Sequence, residues 1–282
     1  MSDNLTETLK DYAKGEGAAL VGIAPAERLV GAPEGKRPAD RLKDATSVVS
    51  LGVKVPHGVC ETWNIVSHNP YRVYGHQYLN RLLHSLAYKV TLFLESEGYM
   101  ALPFPPTISG IGGAEISHRH IAVAAGLGEF GWAGYVLTPQ FGARQRFVSV
   151  ITAAPLKGDA MYDGPSLCVP ESCSFTCVEE CPMGALSMTE KKTCQIGDRS
   201  IEYTWIDRWR CFWAISGLTT KVGGFKEVSM PPVVDEEALD RAMEHKDPAQ
   251  IRTEISQGGH ATYCGKCQAV CPVGTHAWKK RR

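Results

Sequence analysis

Ten cysteines in 282 residues are the side chains whose type and spacing could do chemistry. Cys168, Cys173, Cys177 and Cys181 fall within fourteen residues, and Pro182 follows the last of them. Near the end of the chain Cys264, Cys267 and Cys271 repeat the closing part of that pattern, again with a proline, Pro272, directly after. Cys211 stands alone between the runs, in Arg210-Cys211-Phe212-Trp213. Thiolates this close on one loop can wrap a cubane of iron and sulfide. A Cys-Pro step then turns the chain away and carries the next sulfur to a second cubane.

The bacterial ferredoxin run C-x2-C-x2-C-x3-C-P has that ending. The last spacing and the proline match here, while the first two gaps are longer, four and three residues. Crossing the runs gives an assignment. One [4Fe–4S] cluster takes Cys168, Cys173, Cys177 and Cys271, and the other takes Cys181, Cys211, Cys264 and Cys267. Cys60 and Cys194 are left over. Two zinc sites would also use eight thiolates, but zinc knuckles come as paired C-x2-4-C steps rather than a four-cysteine run closed by Cys-Pro. Disulfides need an oxidising compartment. Met1-Ser-Asp-Asn-Leu carries neither a basic n-region nor a twin-arginine signal, so a cytoplasmic protein is expected.

Composition is that of an ordinary soluble globular chain, 44% hydrophobic and 21% charged. Thirty acids balance thirty bases, which argues against a nucleic-acid-binding surface spread over the whole molecule. Lys279-Lys280-Arg281-Arg282 is a local basic tail. No apolar run reaches membrane-spanning length.

The elements that must position these residues are legible in outline. Leu5, Leu9, Tyr12 and Ala13 mark a helix stopped by Gly15 and Gly17. Residues 18–24 and 47–55 read as strands, the second ended by Pro56, with a short helix near Arg41 between them. Residues 57–75, with Cys60, Trp63, His68, Tyr71 and Tyr74, show no period and are expected to form an irregular segment that covers a site. Leu79, Leu82, Leu83, Leu86, Val90, Phe93 and Leu94 predict a long helix over 76–97, closed by Gly98. Residues 99–106 are extended and 146–152 form a strand. The alternation predicts an α/β (α+β) layered domain over 1–160, followed by a double-cluster, ferredoxin-like domain over 161–282. After Pro182, Met183–Leu186 is expected to start a short helix, and 235–255 a polar helical region broken at Pro248. Trp205, Trp209, Phe212 and Trp213 are expected as the apolar shell around Cys211.

Gly126-Leu-Gly128-Glu-Phe-Gly131 matches G-x-G-x-x-G, but it follows the end of a helix rather than a strand. A nicotinamide or flavin fingerprint is therefore not expected. The glycines imply close approach of backbone to another backbone or to a flat cofactor.

The stretch from His118-Arg119-His120 through Gly131, then Tyr135–Pro139, Phe141-Gly142 and Ala154–Leu156, together with the double cysteine module, resembles the epoxyqueuosine reductase and reductive dehalogenase superfamily. The resemblance runs from about Val21 to Pro272. It implies a nitroreductase-like domain holding cobalamin, with one cluster near the corrin and the other feeding it. The implied activity is a low-potential reduction of a small-molecule substrate through Co(I). A ferredoxin or flavodoxin donor and a homodimer are compatible with it. On the same resemblance Glu115, Arg119, Gly126, Gly128, Gly131, Gly134 and Tyr135 line the cofactor pocket. His118, His120 and Tyr135 lead the proton-donor candidates, with Tyr71, Tyr74 and Glu115 behind them. His118 and His120 alternate and so do not share one helix face, and a His-x-His zinc site lacks a third ligand. Gly112 stands where epoxyqueuosine reductases carry an aspartate, and His118 replaces the adjacent acid. A short cytoplasmic member with another substrate is therefore expected. The alternative from a different class is an electron carrier, or an activator that keeps another protein's corrinoid reduced.

Overall fold

β-branched and aliphatic residues in period-two runs build the centre of the molecule. The computed structural model describes residues 2–63, 68–106, 114–224, 227–244 and 264–274. In chain order its strands are β1 (Leu20–Pro25), β2 (Ser47–Lys54), β3 (Ala101–Pro103), the two-residue β4 (Glu129–Phe130) and β5 (Val136–Leu137), and β6 (Gln145–Thr152). A hairpin of β7 (Leu186–Ile196) and β8 (Arg199–Ile206) follows. The main sheet has the order β1-β2-β6-β3 with every neighbour antiparallel. That places the mixed fold on the α+β side.

Alternation on β2 and β6 divides the interior into two layers. Val49, Leu51, Val53, Val148 and Val150 point to one face, where they meet Leu83, Leu86, Val90 and Leu94 of helix Tyr78–Ser96 and Leu9 of helix Ser2–Gly15. Val48, Phe147 and Ile151 point to the other, against Ile121, Ala122 and Val123 of helix His118–Ala124. Helix Tyr78–Ser96 ends where Gly98 adopts φ +86 and the backbone amides of Gly98 and Tyr99 bond back to Glu95 and Leu94. Both layers extend into the C-terminal part: Trp213, Leu218 and Cys264 join the first, Ile196 and Tyr203 the second. Asp159 ties the intervening segment down, accepting from Lys10 Nζ at 2.6 Å and from the Ile23 amide at 2.8 Å.

Three expectations are corrected. The segment 57–75 is largely ordered: Pro56 (φ −59) leads into helix His57–Glu61, and a π-helical turn, Tyr71–Gln77, runs into helix Tyr78–Ser96. Residues 64–67 lie outside the described residues. The wider turn is permitted by Gly75, where a Cβ would lie 2.9 Å from the Tyr71 ring. Second, Met183–Leu186 starts no helix. Gly184 takes φ +58 and the chain enters β7, whose hairpin closes over Gly197-Asp198 between the paired Ile196 and Arg199. Third, Trp205, near the end of β8, is 39% exposed, while Trp213 is fully buried. Of the expected helical region at 235–255, Glu236–Met243 is helical, with Asp235 accepting from the Ala238 amide at 2.8 Å. Pro248, Gly112 and the basic tail lie outside the described residues.

Candidate functional site

Each cysteine run is held by a distinct device. Glu129, on β4, accepts through Oε1 from the amides of Leu167 (2.6 Å) and Cys168 (3.0 Å) and from Ser166 Oγ (3.1 Å). The Trp132 amide donates to Cys168 Sγ at 3.2 Å. Between Cys173 and Cys177 the chain reverses through Ser174 and Phe175, both at φ +51, a left-handed pair without glycine. Backbone of that kind persists only where its surroundings dictate it. The Ala185 amide donates to Cys181 Sγ at 3.3 Å. Cys211 sits on helix Arg208–Ile215, whose N-terminus is capped by Asp207 Oδ1 accepting from the Trp209 and Arg210 amides.

The far run is clamped from the segment 57–75. Trp63 Nε1 donates to the Cys264 carbonyl at 2.7 Å, and Tyr71 OH donates to Gln268 Oε1 at 2.6 Å. Gln268 Nε2 in turn donates to the Ala143 carbonyl at 2.6 Å. Arg144, fully buried, donates to the carbonyls of Val273 (3.0 Å), Cys271 (3.3 Å) and Ala269 (3.4 Å). Trp63 and Tyr71 of this segment thus hold the far cysteine run in place.

The thiols influence one another in two sets. Burial, then Cys271, Cys168 and Cys173, push Cys177 up to about 12. Burial, with Cys168 and Cys173 adding to it, pushes Cys271 to about 11. Burial, with Cys211 and Cys181, pushes Cys264 to about 12, and burial with Cys181 pushes Cys211 to about 11. Cys267 is raised well above its ordinary range by burial and then by Cys264, Cys211, Cys181 and, more weakly, Cys177. Cys168, Cys173, Cys177 and Cys271 thus lie near one another, as do Cys181, Cys211, Cys264 and Cys267, with Cys177 and Cys267 as the point of contact. Eight soft thiol donors in two neighbouring sets, Cys264 buried and the others partly so, are the kind of ligand an iron–sulfide core takes, so the donor set fits such a group. Among the described residues no three His, Cys, Asp or Glu side chains converge closely enough to hold one metal ion. Cys60 is buried and raised to about 11, and Cys194 is raised by burial away from both quartets.

Two cavities share a wall. One, of about 100 Å³, is lined by Cys168, Cys173, Cys177 and Cys271 and also reaches Cys267. The other, of about 250 Å³, has an apolar floor of Ile116, Val136 and Phe147 and a polar rim of Ser117, His118 and Arg119. Tyr135 lines both. Cys267 first, and burial second, raise its phenol well above the usual tyrosine range. His118 is fixed between Ser149 Oγ (3.0 Å to Nδ1) and the Pro105 carbonyl (2.8 Å to Nε2), so Nε2 carries the proton, and burial lowers its pKa. An apolar floor with a polar rim suits a macrocycle edged with amides. Pro106 and Ala114 at the cavity's margin flank 107–113, which lie outside the described residues.

Other candidates fall elsewhere. His120 faces a separate cavity of about 400 Å³ with Cys194 and Tyr203, and burial, then Arg119, lower its pKa to about 4. Tyr71 is committed to Gln268, while Tyr74 and Glu115 are exposed. Arg119 donates to the Gly134 carbonyl at 2.5 Å. Gly126 and Gly128 offer no cofactor cradle: a Cβ there would meet the carbonyls of Ala160 at 2.0 Å and Leu137 at 1.9 Å. They serve backbone-to-backbone approach, and at Gly131 the neighbour is the Leu137 side chain. Sequence reasoning missed Glu129, Arg144 and Gln268. Their partners lie far away in sequence, and no local pattern points to them.

No protein-family model matches the chain. Over 154 residues it is 31% identical to the tetrachloroethene reductive dehalogenases of Dehalobacter restrictus and Desulfitobacterium hafniense, covering 51% of this chain. The chain spans only 26% of the length of those relatives. An epoxyqueuosine reductase solved with an epoxyqueuosine-modified tRNA-Tyr stem loop superposes with TM-score 0.56 at 20% identity, covering 96% of this chain and 65% of that one. A reductive dehalogenase whose structure was described as suggesting a mechanism for B12-dependent dehalogenation gives 0.59 at 19% identity, covering 95% and 38%. In fold the chain is similar to epoxyqueuosine reductases and reductive dehalogenases, and over this stretch of sequence it is similar to reductive dehalogenases.

Proposed function

We propose that the chain is a low-potential reductase in which two iron–sulfur clusters feed electrons to a cobalamin that acts on a small-molecule substrate. In this reading Cys168, Cys173, Cys177 and Cys271 hold one [4Fe–4S] cluster, and Cys181, Cys211, Cys264 and Cys267 the other. Bound there, the clusters would supply single electrons at low potential and the corrin would supply a reducing cobalt centre. The observation that carries the reading is that Tyr135 is at once a wall of the cysteine cavity and a wall of the cavity bearing His118 and Arg119.

The chain's own residues then have separate tasks. Tyr135 keeps its proton across the neutral range and offers it at the phenol oxygen. His118, neutral and fixed at both ring nitrogens, gives the pocket a rigid polar edge. Ile116, Val136 and Phe147 keep water from the reacting centre. The relatives named for B12-dependent and tetrachloroethene dehalogenation support a corrinoid reductase.

A second reading, an electron carrier or corrinoid-reducing activator, draws on the surface position of the first run: Val169 is 50% exposed, with Cys168 and Cys173 half-buried beside it. Cobalamin titration of the anaerobically purified full chain separates the two. Saturable, stoichiometric binding, weakened at least about tenfold by Ser117→Trp and unchanged by Tyr74→Ala, is expected of the reductase. No binding at any cobalamin concentration would leave the carrier.

A further inference from the structure

We infer that Arg144, together with Glu61, sets the reduction potential of the cluster ligated by Cys271 and leaves the other cluster untouched. The inference rests on the cluster reading above and deepens it.

Arg144 has no exposed surface. It directly precedes β6 and reaches out of the sheet domain into the loop that follows helix Lys266–Val270. Its Nη1 donates to the carbonyls of Cys271 (3.3 Å) and Val273 (3.0 Å), and its Nη2 to the carbonyl of Ala269 (3.4 Å) and to Glu61 Oε1 (3.4 Å). Its Nε is buried, and the Cys60 thiol lies against the guanidinium. A guanidinium never gives up its charge in a protein, so a permanent cation is fixed against the Cys271 loop. Gly142 shows how tightly this seam is closed: a Cβ there would lie 2.0 Å from the Val273 carbonyl oxygen.

Charge decides the consequence. One-electron reduction adds a negative charge to a cluster, and a nearby cation stabilises the reduced form, the more so where the medium is poorly polarisable. Glu61 opposes this, but its side chain is 29% exposed against none for Arg144, so water screens the acid more than the base. Of this pair, Arg144 therefore outweighs Glu61 at the Cys271 loop, which its Nη1 contacts directly. In the other quartet the cation that acts on Cys264 is Lys266. Arg144 is a positioning and tuning residue: it touches neither substrate nor the reacting atoms.

The test is an EPR-monitored redox titration of the anaerobically purified full chain, resolving two cluster potentials. Arg144→Gln is expected to move one potential to a more negative value and leave the other in place. Glu61→Gln is expected to move the same potential the opposite way. Arg144→Lys keeps the charge while losing the fork, so it should hold the potential near wild type while lowering the thermal midpoint, which a purely structural role would not allow. Equal shifts of both clusters, shifts of one sign in both neutral variants, or no shift with full iron content overturns the inference. Where Arg144→Gln fails to fold, an unmoved potential in Glu61→Gln is sufficient to overturn it. Iron analysis of the wild type comes first and reads the cluster assignment separately, since a chain without iron removes both proposals while a full complement leaves only the tuning at stake.

Discussion

Tyr135 lies beside Cys267: the thiol is the largest of the influences that raise the Tyr135 phenol well above its usual range, ahead of burial. One side chain thus couples the cysteine quartets to the neighbouring cavity. Tyr135→Phe should leave iron and cobalt content unchanged and lower turnover by roughly 10²-fold or more, the usual worth of a positioned proton donor. Because the folded pKa is raised, the wild-type rate should show no loss attributable to this group through neutral and mildly alkaline pH. A steady-state pH profile of both proteins checks it.

The two quartets make opposite demands on ten cysteines. Cys177→Ser and Cys264→Ser should each remove one cluster, and with it about half of the iron. Cys60→Ser and Cys194→Ser should retain the full amount, since neither belongs to a quartet. Iron quantitation across the four variants decides the assignment.

Glu129 holds the first cysteine from a distance of about forty residues in sequence, through two amides and a hydroxyl. Glu129→Ala leaves those donors without their acceptor, a cost of about 1–3 kcal/mol. The expected outcome is faster loss of one cluster to a chelator, with the second cluster released at the wild-type rate.

His120 is held neutral, its pKa lowered to about 4 by burial and then by Arg119. Its stabilising contribution is therefore complete above the unfolded value near 6.5 and is lost as pH falls towards 4. The size is on the order of 1–3 kcal/mol. Denaturant midpoints between pH 7 and pH 4.5 should fall less steeply for His120→Gln than for wild type.

What the sequence made legible follows from the range of the forces involved. Helix Tyr78–Ser96 and strands β2 and β6 were readable because burial imposes its period locally on Leu83, Leu86, Val90 and Val148. The nearness of the two cysteine runs was readable from their spacing, even across the gap from Cys177 to Cys271. The β7–β8 hairpin was missed although Gly197-Asp198 and the β-branched run around Ile201 signalled it. An expected helix after Cys-Pro displaced that evidence. The partners of Arg144 and Glu129 were beyond reach, because a hydrogen bond between residues far apart in sequence leaves no period in either. The glycine loop was half legible: the need for close approach was clear from Gly126 and Gly128, and only the fold reveals that backbone carbonyls, not a cofactor, do the approaching.

The most direct test of the account is metal analysis with EPR on the chain purified without oxygen from cells supplied with cobalamin. About eight irons in two clusters and about one cobalt per chain are predicted, with Tyr135 variants unchanged in both. Zinc in the thiolate sites, or a full complement of iron with no cobalt after reconstitution, would contradict it.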